Sequence, residues 1–95
     1  MLVSSLLFTT EDIEQIAAPQ EKRDVYKDSK EEGLILIVSY GKSKTFYLAI
    51  AIGTKYHRIK IGRFPNLSVI EAREQAVKLK KKIAQGINPI EEKKL

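Results

Sequence analysis

The chain has 95 residues, 43% of them hydrophobic and 31% charged, with no Cys. Those values describe one domain with a modest core, and they exclude wholesale disorder, a disulfide framework and a Cys-based metal site. The formal net charge of +5 is unevenly spread: residues 1–33 hold eight acids against four bases, and residues 34–95 hold thirteen bases against four acids, which suits the second part to a polyanionic partner or, more plainly, to a Lys-rich solvated surface.

The opening MLVSSLLF is apolar but lacks a basic n-region and a small-residue cleavage site. It reads as an N-terminal arm rather than a signal peptide, and no apolar run is long enough to span a bilayer. Thr9 to Pro19 predicts a short helix, with a Thr as cap, acids in the first turn and Pro19 past the end. Gln20 to Gly33 is charged and lacks a clean period apart from Val25 and Tyr26, so it is expected to be a loop with at most a short extended piece.

Three strands are expected next: Leu34–Ser39, Thr45–Ile52 and Tyr56–Ile61. The short turns between them, at residues 40–44 and 53–55, imply two hairpins and therefore an antiparallel meander. Alternation puts His57, Ile59 and Ile61 on one face of the third strand and Tyr56, Arg58 and Lys60 on the other. In the second strand Phe46, Leu48, Ile50 and Ile52 share a face opposite Tyr47, Ala49 and Ala51. The first strand is apolar on both faces, so pattern alone does not orient it.

A helix is expected from Ser68. Ser68 and Glu71 form a capping-box pattern, and Val69, Ala72, Ala76, Leu79 and Ile83 make one apolar stripe. Gly86 marks the end, Lys80, Lys81 and Lys82 favour the negative end of the dipole, and Asn88-Pro89 stops any continuation. The expected fold is therefore α+β: a three-stranded antiparallel sheet packed on one face by a C-terminal helix, with a short N-terminal helix. One sheet face is left uncovered. Glu71 and Glu74 make the helix N-terminus a poor phosphate site, so an anionic partner must be met elsewhere.

Several motifs occur in one order: Gly33-Leu34, Leu36 and Val38; Ser43-Lys44-Thr45-Phe46; Ile61-Gly62-Arg63-Phe64-Pro65; Ser68, Glu71-Ala72-Arg73; and Ala84, Gly86, Asn88-Pro89. Over about two thirds of the chain this resembles the N-terminal arm-type DNA-binding domain of phage and genomic-island tyrosine integrases. The resemblance implies one domain over 1–95, with a compact core about 33–87, an arm and short helix in 1–32, and in 88–95 the start of a linker to a core-binding and catalytic region. It also implies that the uncovered sheet face enters the major groove of duplex DNA at arm-type sites. The expected contacts are Lys42, Lys44, Tyr47, Lys55, Tyr56, Arg58, Lys60 and Arg63, with Arg58 suited to guanine and the lysines to phosphates. A cytoplasmic, bacterial or phage-encoded protein follows, with other integrase protomers or the rest of the integrase chain as further partners and no membrane or small-molecule substrate.

The family often carries Arg or Lys at the outward positions of the first two strands, where this chain has Ile35, Ile37, Tyr47, Ala49 and Ala51. That apolar patch opens a second reading, a protein-interaction face. A double-stranded-RNA-binding module shares the element order but sets bases, not Glu71 and Glu74, at the start of its last helix. No catalytic residue, cofactor site or metal site is expected. The one His, His57, falls inward by alternation, Lys60 stands where an H-x-x-R motif needs Arg, and no Gly-rich phosphate loop is present.

Overall fold

The computed structural model describes residues 3–19 and 23–89. Its order is β1 (Val3–Leu6), α1 (Thr10–Gln15), β2 (Arg23–Asp28), β3 (Leu34–Ser39), β4 (Lys44–Ile52), β5 (Lys55–Phe64) and α2 (Val69–Ala84). The strands form one five-stranded sheet in the order β1-β2-β3-β4-β5. β1 pairs with β2 in parallel, and every other pair is antiparallel.

The meander of three strands is therefore the larger part of a mixed sheet of five, and this corrects the expected architecture. The two extra strands come from the stretches read as an arm and a loop. β2 hides from a periodicity test because its helix-facing positions are Asp24, Tyr26 and Asp28, registered with Val38, Leu36 and Leu6. Asp28 carries an ion pair where the pattern asks for an apolar side chain. β3 is apolar on both faces because it is the central strand. Leu34, Leu36 and Val38 face α2, while Ile35 and Ile37 pack with Val25 on the other side.

The main core lies between the sheet and α2. It joins Leu34, Leu36, Val38, Phe46, Leu48 and Ile59 to Val69, Ala72 and Ala76, and it reaches back to Phe8 and Ile13. Leu79 and Ile83 pack against its margin and are half-buried. The small Ala72 and Ala76 let the helix sit close on β3, β4 and β5.

The joint between β5 and α2 is built from specific local features. Gly62 faces the side chain of Leu67, which an added Cβ would approach to 3.1 Å. The Phe64–Pro65 peptide is cis. At Ser68 both halves of the capping box are made: Glu71 N donates to Ser68 Oγ at 3.1 Å, and Ser68 N donates to Glu71 Oε1 at 3.2 Å. At the other end Gly86, at φ 86°, and Ile87 donate to Ile83 O and Lys82 O. This is a Schellman closure that needs the left-handed glycine. Residues 90–95, most of the expected linker, lie outside the described residues, as do residues 1–2 of the arm.

Candidate nucleic-acid interface

The sheet face away from α2 is defined by register. One row across it runs Lys27, Ile35, Tyr47, Lys60; the next runs Val25, Ile37, Thr45, Arg63. Beyond them Ala49 opposes Arg58, and Ala51 opposes Tyr56. Simple alternation from Lys60 would turn Arg63 toward the helix. A bulge prevents this: Phe46 pairs with Gly62 and Tyr47 with Lys60, so Ile61 is the extra residue and Arg63 joins Thr45 on the open face. Phe64 then turns inward, where its ring meets that of Phe46 edge-on at 6.3 Å.

Five cations stand at outward strand positions: Arg23 and Lys27 on β2, and Arg58, Lys60 and Arg63 on β5. All five are exposed. None has a hydrogen bond or an ion pair among the described residues, and no outward strand position holds a carboxylate. Three strand spacings separate β2 from β5, or about 14 Å. The basic positions of β2 and β5 therefore flank a strip close to the width of a major groove, about 12 Å, with β1 lying outside β2.

Between those edges the surface is apolar but largely closed. Ile35 and Ile37 are 3% and 6% exposed, because Val25, Tyr47 and Ala49 pack against them. The patch that motivated a protein-interaction face is thus mostly occupied. The large apolar residue that this face does expose is Tyr56, at 71%.

The residues expected at the interface divide into groups. Tyr47, Tyr56, Arg58, Lys60 and Arg63 share the open face. Lys42 lies exposed in the β3–β4 turn, with φ 69°. Lys55 is exposed at the β4–β5 turn, in register with Ile52 and so on the helix side of the sheet end. Lys44 stands apart. It is registered with Val38 on the helix side, and its Nζ donates to Ile13 O at 2.6 Å and Glu14 O at 3.3 Å. It thereby satisfies carbonyls at the C-terminal end of α1. His57 pairs with Ile50 on the helix side and is half-buried.

Arg23 and Lys27 were missed by sequence reasoning. Their signal was the alternation Arg23, Val25, Lys27, masked by the charged residues between them. Also missed was the tie that holds β2 in place. Arg73 Nε donates to Asp28 Oδ2 at 2.9 Å and Nη2 to Oδ1 at 3.2 Å, while Nη2 also donates to Phe8 O at 2.8 Å. The carboxylate of Asp28 further accepts from Phe8 N and Glu31 N, each at 3.1 Å. Burial pushes the Asp28 pKa up. The Arg73 hydrogen bond, the amides of Phe8 and of the loop at 30–31, and the charge of Arg73 outweigh it, so the net shift is downward. One arginine on α2 therefore anchors the end of β2 and the chain before α1.

Unpaired cations gathered on the one sheet face that no helix covers are the electrostatic footprint of a surface for a polyanion. Residues 8–95 match the arm DNA-binding domain family, and the chain belongs to it. The integrase of Shigella phage Sf6 and prophage integrase IntS of Escherichia coli (strain K12) are each 32% identical to it over 82 residues, covering 86% of this chain and 21% of the relative. Prophage integrase IntZ of the same strain is 34% identical over 76 residues, 80% of this chain and 19% of its own. The chain thus spans about a fifth of the length of these relatives. The family so matched is one of DNA-binding domains and not of double-stranded-RNA-binding modules. Among the described residues no helix is long and apolar enough to cross a membrane.

Proposed function

We propose that this domain holds arm-type sites on duplex DNA for a tyrosine-type integrase, with the open sheet face in the major groove. The observation that carries the reading is the set of five unpaired outward cations on β2 and β5. Lys60 and Arg63 on one edge, and Arg23 and Lys27 on the other, are assigned to the two phosphate backbones. Arg58 is assigned to a guanine. Its cross-strand partner is Ala49, whose small side chain leaves the guanidinium room to lean toward the base edges, whereas Lys60 stands opposite the bulkier Tyr47. Lys42 and Lys55, at the two turns, are assigned to flanking phosphates. Lys44 is left out, because its ammonium is held by α1.

By the same reading the parent protein is a cytoplasmic recombinase of a prophage or genomic island. Strand exchange is carried by residues outside this stretch, and the chain from Asn88 onward leads toward them. A gel-shift titration with duplex DNA and duplex RNA of one sequence tests the assignment. Preference for the DNA, lost progressively with salt, supports it. Equal binding to both, or binding to neither, overturns it.

A further inference from the structure

At one end of the open face the β2–β3 loop meets β4 and β5. Ala49 N donates to Gly33 O at 2.8 Å, which extends the β3–β4 ladder by one step. Gly33 has φ 88°, and a Cβ there would come within 3.1 Å of Ala49 O and 3.2 Å of Leu48 Cδ1. The loop can lie this close to β4 only with glycine at that position. The close approach leaves a recess of 210 Å³ floored by Ile35, Gly33 and Ala49 and walled by Lys27, Glu32 and Tyr56.

Glu32 is the anomaly in this recess. It is an exposed carboxylate at the border of a face whose outward strand positions hold cations and no acid. It has no hydrogen bond or ion pair among the described residues, although Lys27 lines the same recess. Near phosphates an acid weakens binding at every sequence. An acid that meets a hydrogen-bond donor in the groove does the opposite at the sequence that supplies the donor. The major-groove edge of a C·G pair offers such a donor, the N4 amine of cytosine, and carboxylates accept from it. Guanine and thymine offer acceptors at those positions and are repelled. Glu32 directly precedes the row that carries Arg58: Ala49 N donates to Gly33 O, just before β3, and Ala49 is in register with Arg58 on β5.

We propose that Glu32 is a specificity-determining residue that accepts the exocyclic amine of a cytosine in the bound site. The inference rests on the reading of the open face as the DNA interface. Adenine N6 is the other amine in the groove, and base-by-base comparison separates the two.

The test selects preferred duplexes from a randomised pool with the wild-type domain, Glu32→Gln and Glu32→Ala at one fixed salt concentration, then measures affinities for the winners and for scrambled duplexes. Glu32 is exposed, so both variants should fold, and their melting temperatures check this. The wild type is expected to require cytosine at one position, with replacement by any other base weakening binding about 5- to 100-fold. Glu32→Ala is expected to lose that requirement alone, to bind scrambled DNA at least as tightly as wild type, and to keep every other preference. Glu32→Gln is expected to tolerate adenine there, because its amide matches the adenine edge. If wild type requires adenine instead, or if both variants keep the wild-type preferences at every position, the inference is overturned while the DNA reading stands. Failure of the wild type to bind duplex DNA overturns that reading and this one with it.

Discussion

Arg73 on α2 grips Asp28 at the end of β2 through two hydrogen bonds, at 2.9 and 3.2 Å, across a gap of 45 residues in sequence. The Asp28 side chain is fully buried and that of Arg73 is 19% exposed. Removing one partner of such a pair strands the other's charge, a cost of about 3–5 kcal/mol. Arg73→Ala is therefore expected to lower the urea midpoint far more than a surface Arg substitution does. An unchanged midpoint would show that β2 is held by its backbone ladder alone.

The same pair predicts a pH dependence. The Asp28 pKa is lowered in the folded state, so the unfolded chain binds the proton more readily. The pair's contribution is complete above the unfolded carboxylate value, about 3.9, and is lost as pH falls through the lower folded value. Denaturation followed between pH 5 and pH 2 should show wild-type stability falling toward acid. The Asp28→Asn variant should start lower and fall less steeply over that window. Parallel curves would contradict the assignment.

Lys44 separates a structural cation from the interface. Lys44→Met removes two charge-assisted bonds to α1 carbonyls and is expected to cost about 1–3 kcal/mol. Affinity for DNA, measured where the variant is folded, should stay within about twofold of wild type, since one charge held by α1 and off the interface contributes little. A large loss of affinity with no loss of stability would return Lys44 to the DNA face.

The features that were legible in the sequence are those set by local chemistry. β3 has the expected bounds, and the Ser68–Glu71 box and the Gly86 stop are in place. Arg58 and Lys60 fall outward as alternation required. The features that were hidden depend on long-range partners. β1 has only four residues, too few to show a period, and β2 buries a carboxylate whose partner, Arg73, is remote in sequence. The outward turn of Arg63 depends on a bulge at Ile61, which Gly62 beside it hints at but whose register alternation alone does not give. Lys44 looked like its neighbour Lys42 because a lysine's target is invisible in a pattern. The resemblance to integrase arm domains supplied the partner class, while the strand count and the second basic edge emerged only from the fold.

Ser68→Ala tests the joint that lays α2 across the sheet. The hydroxyl accepts from Glu71 N at 3.1 Å. Its loss should cost about 1 kcal/mol. Leu79 is half-buried, so Leu79→Ala should cost less than a fully buried leucine would, about 1–2 kcal/mol against 2–5. Neither should shift DNA affinity in the folded protein. Equal affinity loss in both would show that α2 touches DNA.

Readout and steering divide on β5 and its turn. Arg58→Ala is expected to cost about 1–3 kcal/mol on a preferred site and far less on scrambled duplex, so that discrimination between the two falls. Lys55→Ala should weaken both by similar factors. If Arg58→Ala lowers both equally, Arg58 holds phosphate, and the sequence is read from elsewhere on the face.

The most direct test of the open face as the DNA surface is the salt dependence of duplex binding, compared between wild type and a variant with both basic edges cut, Lys27→Ala with Lys60→Ala. With about six phosphates neutralised, log K against log salt should slope by roughly −5 for wild type, and each lost contact should remove about 0.9. The double variant is expected to fold normally, since neither lysine has a partner among the described residues, and to slope less steeply by about two. A wild-type slope near zero, or one that the double variant leaves unchanged, would contradict the account and place the DNA on another surface.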